Sequence, residues 1–278
     1  MDAIRAERKH VTVNGLRLSY LDWGGAGRPW LLCLHGFTEQ AHIFDEFAEA
    51  VSPRHRVLSL DFRGHGESQW APDGYTRDKY LADVTAFVGA LGIDEATIVG
   101  LSLGGIVGML HAAAQPRGVK RLVLADIGPE TGDGATRQRA GRPPRPMGFA
   151  SFDDAFAWSR SGSWFSGPDE QVRKDLANKL RRRDDGKWVW KLDPALFEPP
   201  ARPDPITTER LWRAFEAIAC PIMLVRGKDS AFVDDGILAR MRRAQPSLRH
   251  ADVERAAHIV TVDNPRGFIA ATREFLAA

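Results

Sequence analysis

Apolar residues along this chain follow two rhythms. Val11-Thr12-Val13 and Leu16-Arg17-Leu18-Ser19-Tyr20 alternate around Asn14-Gly15, the pattern of two antiparallel strands closed by a tight hairpin turn. Trp30-Leu31-Leu32-Cys33-Leu34 and Arg56-Val57-Leu58-Ser59-Leu60 are instead continuous runs, as expected of strands covered on both faces of a parallel sheet. Between them Ile43, Phe44, Phe47, Ala48 and Val51 recur at helical spacing. A second stripe of Tyr80, Leu81, Val84, Phe87, Val88 and Leu91 predicts a helix over about 77–91. A strand at 96–99, a helix at 103–114 and a strand at 121–125 follow. Two antiparallel strands and then β-α repeats predict an α/β fold with a mostly parallel sheet.

After Asp126 the rhythm stops. Residues 129–145 are rich in Gly, Pro and Arg, residues 152–183 read as two or three short helices, and 193–205 are rich in Pro before a helix near 207–218. A strand at 221–225, a helix near 234–243, a strand at 249–253 and a closing helix from about Pro265 to Leu276 complete the chain. A structureless stretch of that length is improbable in a compact domain. The chain therefore divides into a core, residues 1–128 and 221–278, and a helical cap inserted at 129–220. Five of the eight tryptophans fall in the insertion: Trp158, Trp164, Trp188, Trp190 and Trp212. They either line an apolar substrate pocket or hold a thin cap together, and Phe149 and Phe165 share that ambiguity. Trp158 and Trp164 are the substrate-contact candidates among them.

Composition narrows the class. Hydrophobic residues make up 44% and charged residues 27% of 278, as in a soluble globular protein. No apolar run approaches the ~20 residues that cross a bilayer, and the polar first ten residues lack the apolar segment of a secretory signal. Cys33 and Cys220 lie in or beside predicted strands, with no Cys or His at metal-ligand spacing. They read as reduced core residues of a cytoplasmic protein without a bound metal. A net charge of +2 sets up no strong field for nucleic acid. Two basic clusters, Arg137, Arg139, Arg142, Arg145 and then Arg181-Arg182-Arg183, both fall in the insertion, either as solvated surface or to steer an anionic substrate towards the lid.

The chemistry centres on Gly100-Leu101-Ser102-Leu103-Gly104, set between a strand and a helix. A serine flanked by glycines at that turn is a nucleophile elbow: glycine removes collisions two residues either side, and the helix N-terminus faces developing negative charge. A serine hydroxyl needs a base. His258 follows the last predicted strand, on the sheet edge where Ser102 emerges, with small Ala256 and Ala257 before it. A histidine base implies activity that falls on acidification through about pH 6–7. His35 opens His35-Gly36-Phe37-Thr38 after another strand, a position suited to an oxyanion loop. His35 and Gly36 are accordingly expected beside substrate, and the backbone N–H groups of Phe37 and Leu103 are the expected oxyanion donors. Two carboxylates compete for the third role: Asp126, at the end of the strand after the elbow helix, and Asp229, in Arg226-Gly227-Lys228-Asp229-Ser230. Both sit on the correct edge, and spacing does not choose between them.

Taken together, His35-Gly36-Phe37, the block from Asp61 to Ser68, the elbow with Gly105, and Ala257-His258 make the chain resemble the α/β-hydrolase superfamily from about residue 10 to 277. The resemblance implies an eight-stranded, mostly parallel sheet flanked by helices, a cap inserted after strand six, and the order nucleophile, acid, histidine. The family most often places its acid after strand seven as Gly-x-x-Asp. Gly227-Lys228-Asp229 is one residue short of that pattern, and Ser230 holds the expected place. Some subfamilies place the acid after strand six, about two dozen residues beyond the nucleophile, which favours Asp126 over Asp229. The Asp61–Ser68 block is given a structural role, with Asp61 paired to Arg63 and His65 exposed or bonded to backbone. The function expected is a serine hydrolase cleaving a small-molecule ester, thioester or lactone through an acyl-enzyme on Ser102, with no cofactor. Alternatives are a carbon–carbon bond (diketo acid) or amide hydrolase with the same triad and, more distantly, a non-catalytic small-molecule receptor. The expected partner is a small acyl substrate, anionic if the arginines steer it, and neither nucleic acid nor membrane; the chain is expected to be a monomer or homodimer.

Overall fold

The main sheet grows from the hairpin that Asn14-Gly15 closes. Both turn residues have positive φ, 50° and 75°, as a two-residue type I′ turn requires. A computed structural model describes residues 6–135, 145–161, 168–198 and 204–277 of the chain. Its strands are β1 (Glu7–Val13), β2 (Leu16–Asp22), β3 (Trp30–Leu34), β4 (Arg56–Leu60), β5 (Ala96–Leu101), β6 (Val119–Ala125), β7 (Gly148–Phe149), β8 (Leu180–Arg182), β9 (Trp188–Trp190), β10 (Ile222–Gly227) and β11 (Arg249–Val253). Eight form one sheet in the order β1-β2-β4-β3-β5-β6-β10-β11. Only the β1–β2 and β2–β4 pairings are antiparallel.

The continuous apolar runs feed two cores. Leu32 and Leu34 of β3, Ile98 of β5 and Leu122 and Leu124 of β6 point to one face. Leu31, Cys33, Val99, Leu101, Val123 and Ala125 point to the other. This is the period-two alternation of strands with both faces covered. Helix α2 (Arg77–Ala90) covers the first face with Tyr80, Val84 and Phe87. Helix α3 (Leu103–Ala114) joins it there through Val107 and Met109. Phe44 and Phe47, at the entry to α1 (Asp45–Val51), meet Phe268 and Phe275 of the closing helix Pro265–Ala277 on the second face. Burying each such ring contributes roughly 1.5–3 kcal/mol. The buried face of α2 also carries a charge: Asp83 is 1% exposed and takes Nε and Nη2 of Arg63 at 2.6 and 2.7 Å.

The Asp61–Ser68 block braces loops by other pairings than expected. Asp61 and Arg63 do not pair with each other. Asp61 accepts from Arg8 Nη1 at 2.9 Å, Ala41 N at 2.7 Å and Glu67 N at 3.1 Å, whereas Arg63 binds Asp83 and, at 3.0 Å, Asp73. His65 takes the second of its two expected placements: it is buried, and its Nδ1 donates to the Arg63 carbonyl at 2.8 Å.

The inserted segment contains more than helices. Helices Phe152–Ser161 and Asp169–Lys179 pack beside a small antiparallel sheet of order β7-β9-β8. Its β8–β9 hairpin turns at Asp185-Gly186, where Gly186 has φ 83° and Arg183 N donates to Lys187 O at 2.8 Å. Phe149, Trp158 and Trp190 lie within 5.6–5.9 Å of one another and make the centre of this layer's own core. Trp212 belongs instead to the main core, on the helix Thr208–Glu216 packed against α3. No helix among the described residues is long and apolar enough to cross a membrane.

Candidate active site

The elbow forms because two side chains are absent. A Cβ on Gly104 would stand 1.9 Å from the Leu34 carbonyl oxygen, and one on Gly100 would stand 2.4 Å from Gly104 O. Glycine at both places lets α3 start hard against the end of β3. The turn leaves Ser102 at φ 51°, ψ −114°, a strained position for a residue with a side chain, and half-buried above the sheet edge. Leu103 N is one of the first-turn N–H groups that no carbonyl of its own helix can take.

The neighbouring strands deliver the partners. Leu101 lies opposite Ala125, and Ala125 opposite Val225, so Ser102, Asp126 and the end of β10 emerge side by side. Asp126 has φ 52° and is fully buried. Its Oδ1 accepts from Gly227 N at 3.0 Å, and its Oδ2 accepts from Ser230 Oγ at 2.5 Å and from His258 Nδ1 at 2.7 Å. The loop after β11 reaches this point because Gly227 has no side chain: a Cβ there would meet the Ala257 carbonyl oxygen at 2.1 Å. The imidazole of His258 lies flat on Phe232, with ring centroids 3.3 Å apart and planes within 10°. A neutral imidazole that donates from Nδ1 presents Nε2 as an acceptor.

Asp229, the rival carboxylate, is exposed, and its backbone N donates to Ala256 O at 2.9 Å, supporting the histidine loop from below. The structure brings His258 to Asp126, and not to Asp229. Ser230, at the place where the Gly-x-x-Asp pattern would have its acid, supplies a hydroxyl to Asp126 instead. Neither that role nor the Phe232 platform follows from the residue spacing. The departure at Ser230 was the available signal for the first; Phe232 carries none beyond its apolar character.

On the opposite side of Ser102 lies the His35–Glu39 loop. A Cβ on Gly36 would stand 3.3 Å from Ser102 Cβ, so this glycine abuts the serine directly. Glu39 N donates to Gly36 O at 3.0 Å, closing a turn that holds Phe37 and Thr38, the latter at φ 69°. His35, expected beside substrate, has its side chain beneath this loop. It is fully buried, donating from Nδ1 to Gly36 O at 2.8 Å and accepting from Phe62 N at 2.9 Å, and so holds the loop from beneath. His65 accepts from Thr38 N at 3.4 Å on the same side. Burial pushes both imidazoles down to about 3, so each is a neutral structural group.

The cap docks on these loops. Leu192 bridges to His65, and Asp193 N donates to Gly64 O at 2.9 Å. Lys179 enters the seam and binds Glu39 at 2.5 Å and Asp175 at 2.7 Å, all three nearly fully buried. Burial, reinforced by the Asp175 charge, raises the Glu39 carboxyl against the opposing pull of Lys179. Trp158, expected at the substrate, is half-buried in the cap core. Trp164 lies outside the described residues, as do Phe165, Arg137, Arg139 and Arg142.

The profile of the "Alpha/beta hydrolase family" matches residues 31–271. A 3-hydroxybutyrate-oligomer hydrolase of Cupriavidus necator is 29% identical over 274 residues, covering 94% of each chain. An esterase of Mycobacterium tuberculosis is 31% identical over 268 residues, 93% of this chain and 86% of that one. Among solved structures, an alpha/beta hydrolase from Novosphingobium aromaticivorans superposes with a TM-score of 0.85 at 29% identity, covering 98% of both chains. The sheet order and elbow agree with a profile match that spans most of the sequence, and the chain belongs to the alpha/beta hydrolase family.

Proposed function

We propose that this chain is a serine hydrolase that cleaves a small-molecule ester, thioester or lactone through an acyl-enzyme on Ser102. The observation that carries the reading is the Asp126–His258 hydrogen bond, 2.7 Å, at the strand ends beside the strained Ser102 elbow. Ser102 Oγ attacks the carbonyl carbon while its proton passes to His258 Nε2. The tetrahedral oxyanion receives the N–H groups of Phe37 and Leu103, each contributing ~3 kcal/mol to lowering the barrier. Asp126 holds the imidazole in the tautomer that accepts at Nε2, and its charge stabilises the imidazolium. The leaving group departs with the proton from His258. Water then attacks the acyl carbon and gives a proton to His258, which returns it to Ser102 Oγ as the tetrahedral intermediate collapses, releasing the acid and free Ser102. The names of the oligomer hydrolase and the esterase support ester cleavage as the bond class. Unpaired Cys33 and Cys220 suit a reducing, cytoplasmic setting.

The test is labelling by a fluorophosphonate, with the modified peptide mapped by mass spectrometry. Modification at Ser102 that disappears in His258→Ala is the expected result. A folded protein that stays unlabelled by small and large probes alike overturns the reading.

A further inference from the structure

Among the described residues, four large hydrophobic side chains are exposed: Phe37 at 43%, Trp70 at 43%, Met147 at 71% and Phe197 at 48%. They are not scattered. Trp70, Met147 and Phe197 line one cleft of about 890 Å3 between the cap and the loop after β4. Phe37, on the oxyanion loop, packs edge-on against Phe197 at 5.9 Å. Through Phe197 the apolar floor of the cleft therefore reaches the Phe37 ring, on the loop whose Gly36 abuts Ser102. Apolar surface concentrated in one concave place marks a binding site.

The walls carry charge. Arg145, Arg181, Arg182 and Arg183 line the cleft together with Asp184, Asp185 and Glu198. Arg183 is matched by Asp185 at 3.6 Å. Arg181 and Arg182 make no ion pair among the described residues, and Arg182 Nε donates only to Gly186 O, at 3.4 Å. Arg145 is the inner cation. Its guanidinium lies 4.3 Å from the Trp190 ring centre and 5.7 Å from that of Phe197. Its charge reaches Glu39 and His65 at the oxyanion loop.

We infer that this cleft is an acyl-chain subsite, and that the preferred substrates carry a carboxylate or similar anion separated from the reacting carbonyl by an apolar chain of several carbons. The inference rests on the hydrolase reading of Ser102 for its catalytic consequence. The chain lies on Phe37, Phe197, Trp70 and Met147. The anion lies against the Arg181 and Arg182 guanidinium groups on the cleft wall. Hydrolysis leaves that anion unchanged; it contributes binding, not chemistry.

Two measurements test it. The first compares p-nitrophenyl octanoate with mono-p-nitrophenyl suberate, which has the same chain length and a terminal carboxylate. Wild-type kcat/KM is expected to favour the suberate ester at low salt, and the preference ratio is expected to fall roughly tenfold in the Arg181→Glu/Arg182→Glu double variant, mainly through KM. Equal kcat/KM for the two esters, or a ratio unmoved by charge reversal, overturns the proposal. The second is a tryptophan-fluorescence titration with free suberate, which needs no turnover. Saturable binding lost in the double variant supports the subsite even if neither ester is cleaved and Ser102 is unlabelled, in which case only the hydrolase reading fails. Suberate that fails to bind wild type, or that binds no more tightly than octanoate, overturns the anionic subsite while leaving the labelling of Ser102 intact.

Discussion

Replacing Asp126 by asparagine separates its role from that of Asp229. Asp126 is fully buried, so the substitution alters no substrate contact. Its φ of 52° is one that asparagine tolerates, so the backbone is kept. The amide oxygen of the substituted side chain still accepts from Gly227 N. Its NH2 group, however, replaces the oxygen that receives both His258 Nδ1 and Ser230 Oγ, so donors face a donor. The imidazole must flip its tautomer or turn away from the new amide. The lost charge adds to this. At about 4 Å between charge centres and an effective dielectric of about 20, a carboxylate stabilises an imidazolium by about 4 kcal/mol, or about three decades in rate. In a Ser-His-Asp triad, losing both charge and tautomer costs on the order of 10^4 in kcat. We therefore expect Asp126→Asn to lose roughly 10^3- to 10^4-fold in kcat against a p-nitrophenyl ester, with KM nearly unchanged and melting temperature near wild type. Asp229→Asn, exposed and bonded through its backbone alone, should keep activity within about twofold. An Asp126→Asn enzyme within tenfold of wild type, or an equal loss in Asp229→Asn, refutes the assignment.

Removing the Lys179 ammonium leaves two buried carboxylates, so Lys179→Met should cost about 3–5 kcal/mol and roughly 10 °C in melting temperature at pH 8. Burial already raises the Glu39 carboxyl, so protonation relieves the cost and the loss should shrink at pH 5; equal losses at both pH values would count against it. His35 and His65, held down to about 3 by burial, stay neutral in the folded protein while unfolded histidines protonate near 6.5. Stability should thus be complete above about pH 6.5 and fall by about 1.4 kcal/mol per pH unit for each histidine as pH drops towards 3, read from urea midpoints at pH 7 and 5. His65→Gln should remove about half of that histidine-linked slope, and identical midpoints at the two pH values would contradict the burial argument. Gly104→Ala should fail to fold or lose activity outright, since its Cβ would meet Leu34 O at 1.9 Å. Gly89→Ala, near the end of α2 with nothing within 4 Å, should stabilise by about 0.5–1 kcal/mol, and a lower melting temperature there would refute the steric comparison.

What the sequence discloses here is what acts over short distances. The Asn14-Gly15 hairpin and the Gly100 to Gly104 elbow depend on backbone angles and collisions within a few residues, and both are legible. The two-sided strands are legible because their neighbours need only be apolar. Pairings that join distant residues are not. Asp126 lies 101 residues from Gly227, 104 from Ser230 and 132 from His258, so residue spacing left it level with Asp229 until the subfamily resemblance favoured it. The charges at Asp83, Glu39, Asp175 and Lys179 look like solvated surface in a linear reading, because each becomes a core residue only through a partner brought by folding. Strands β8 and β9 escape for another reason: three residues are too few to display a period, although Asp185-Gly186, just past the stretch 152–183 that reads as helical, is a hairpin signal. The tryptophans divide along the same line. Trp158 is taken up by the cap's own packing, Trp212 by the main core, and Trp190 serves both the cap core and the cleft wall. On the proposed reading the nucleophile is written locally, in the elbow, while the selection among acyl groups would rest on where the cap sets Arg145, Arg181 and Phe197 against Phe37. Exchanging cap residues should therefore change which ester is preferred, whereas exchanging Ser102, Asp126 or His258 should change how fast any ester is cleaved.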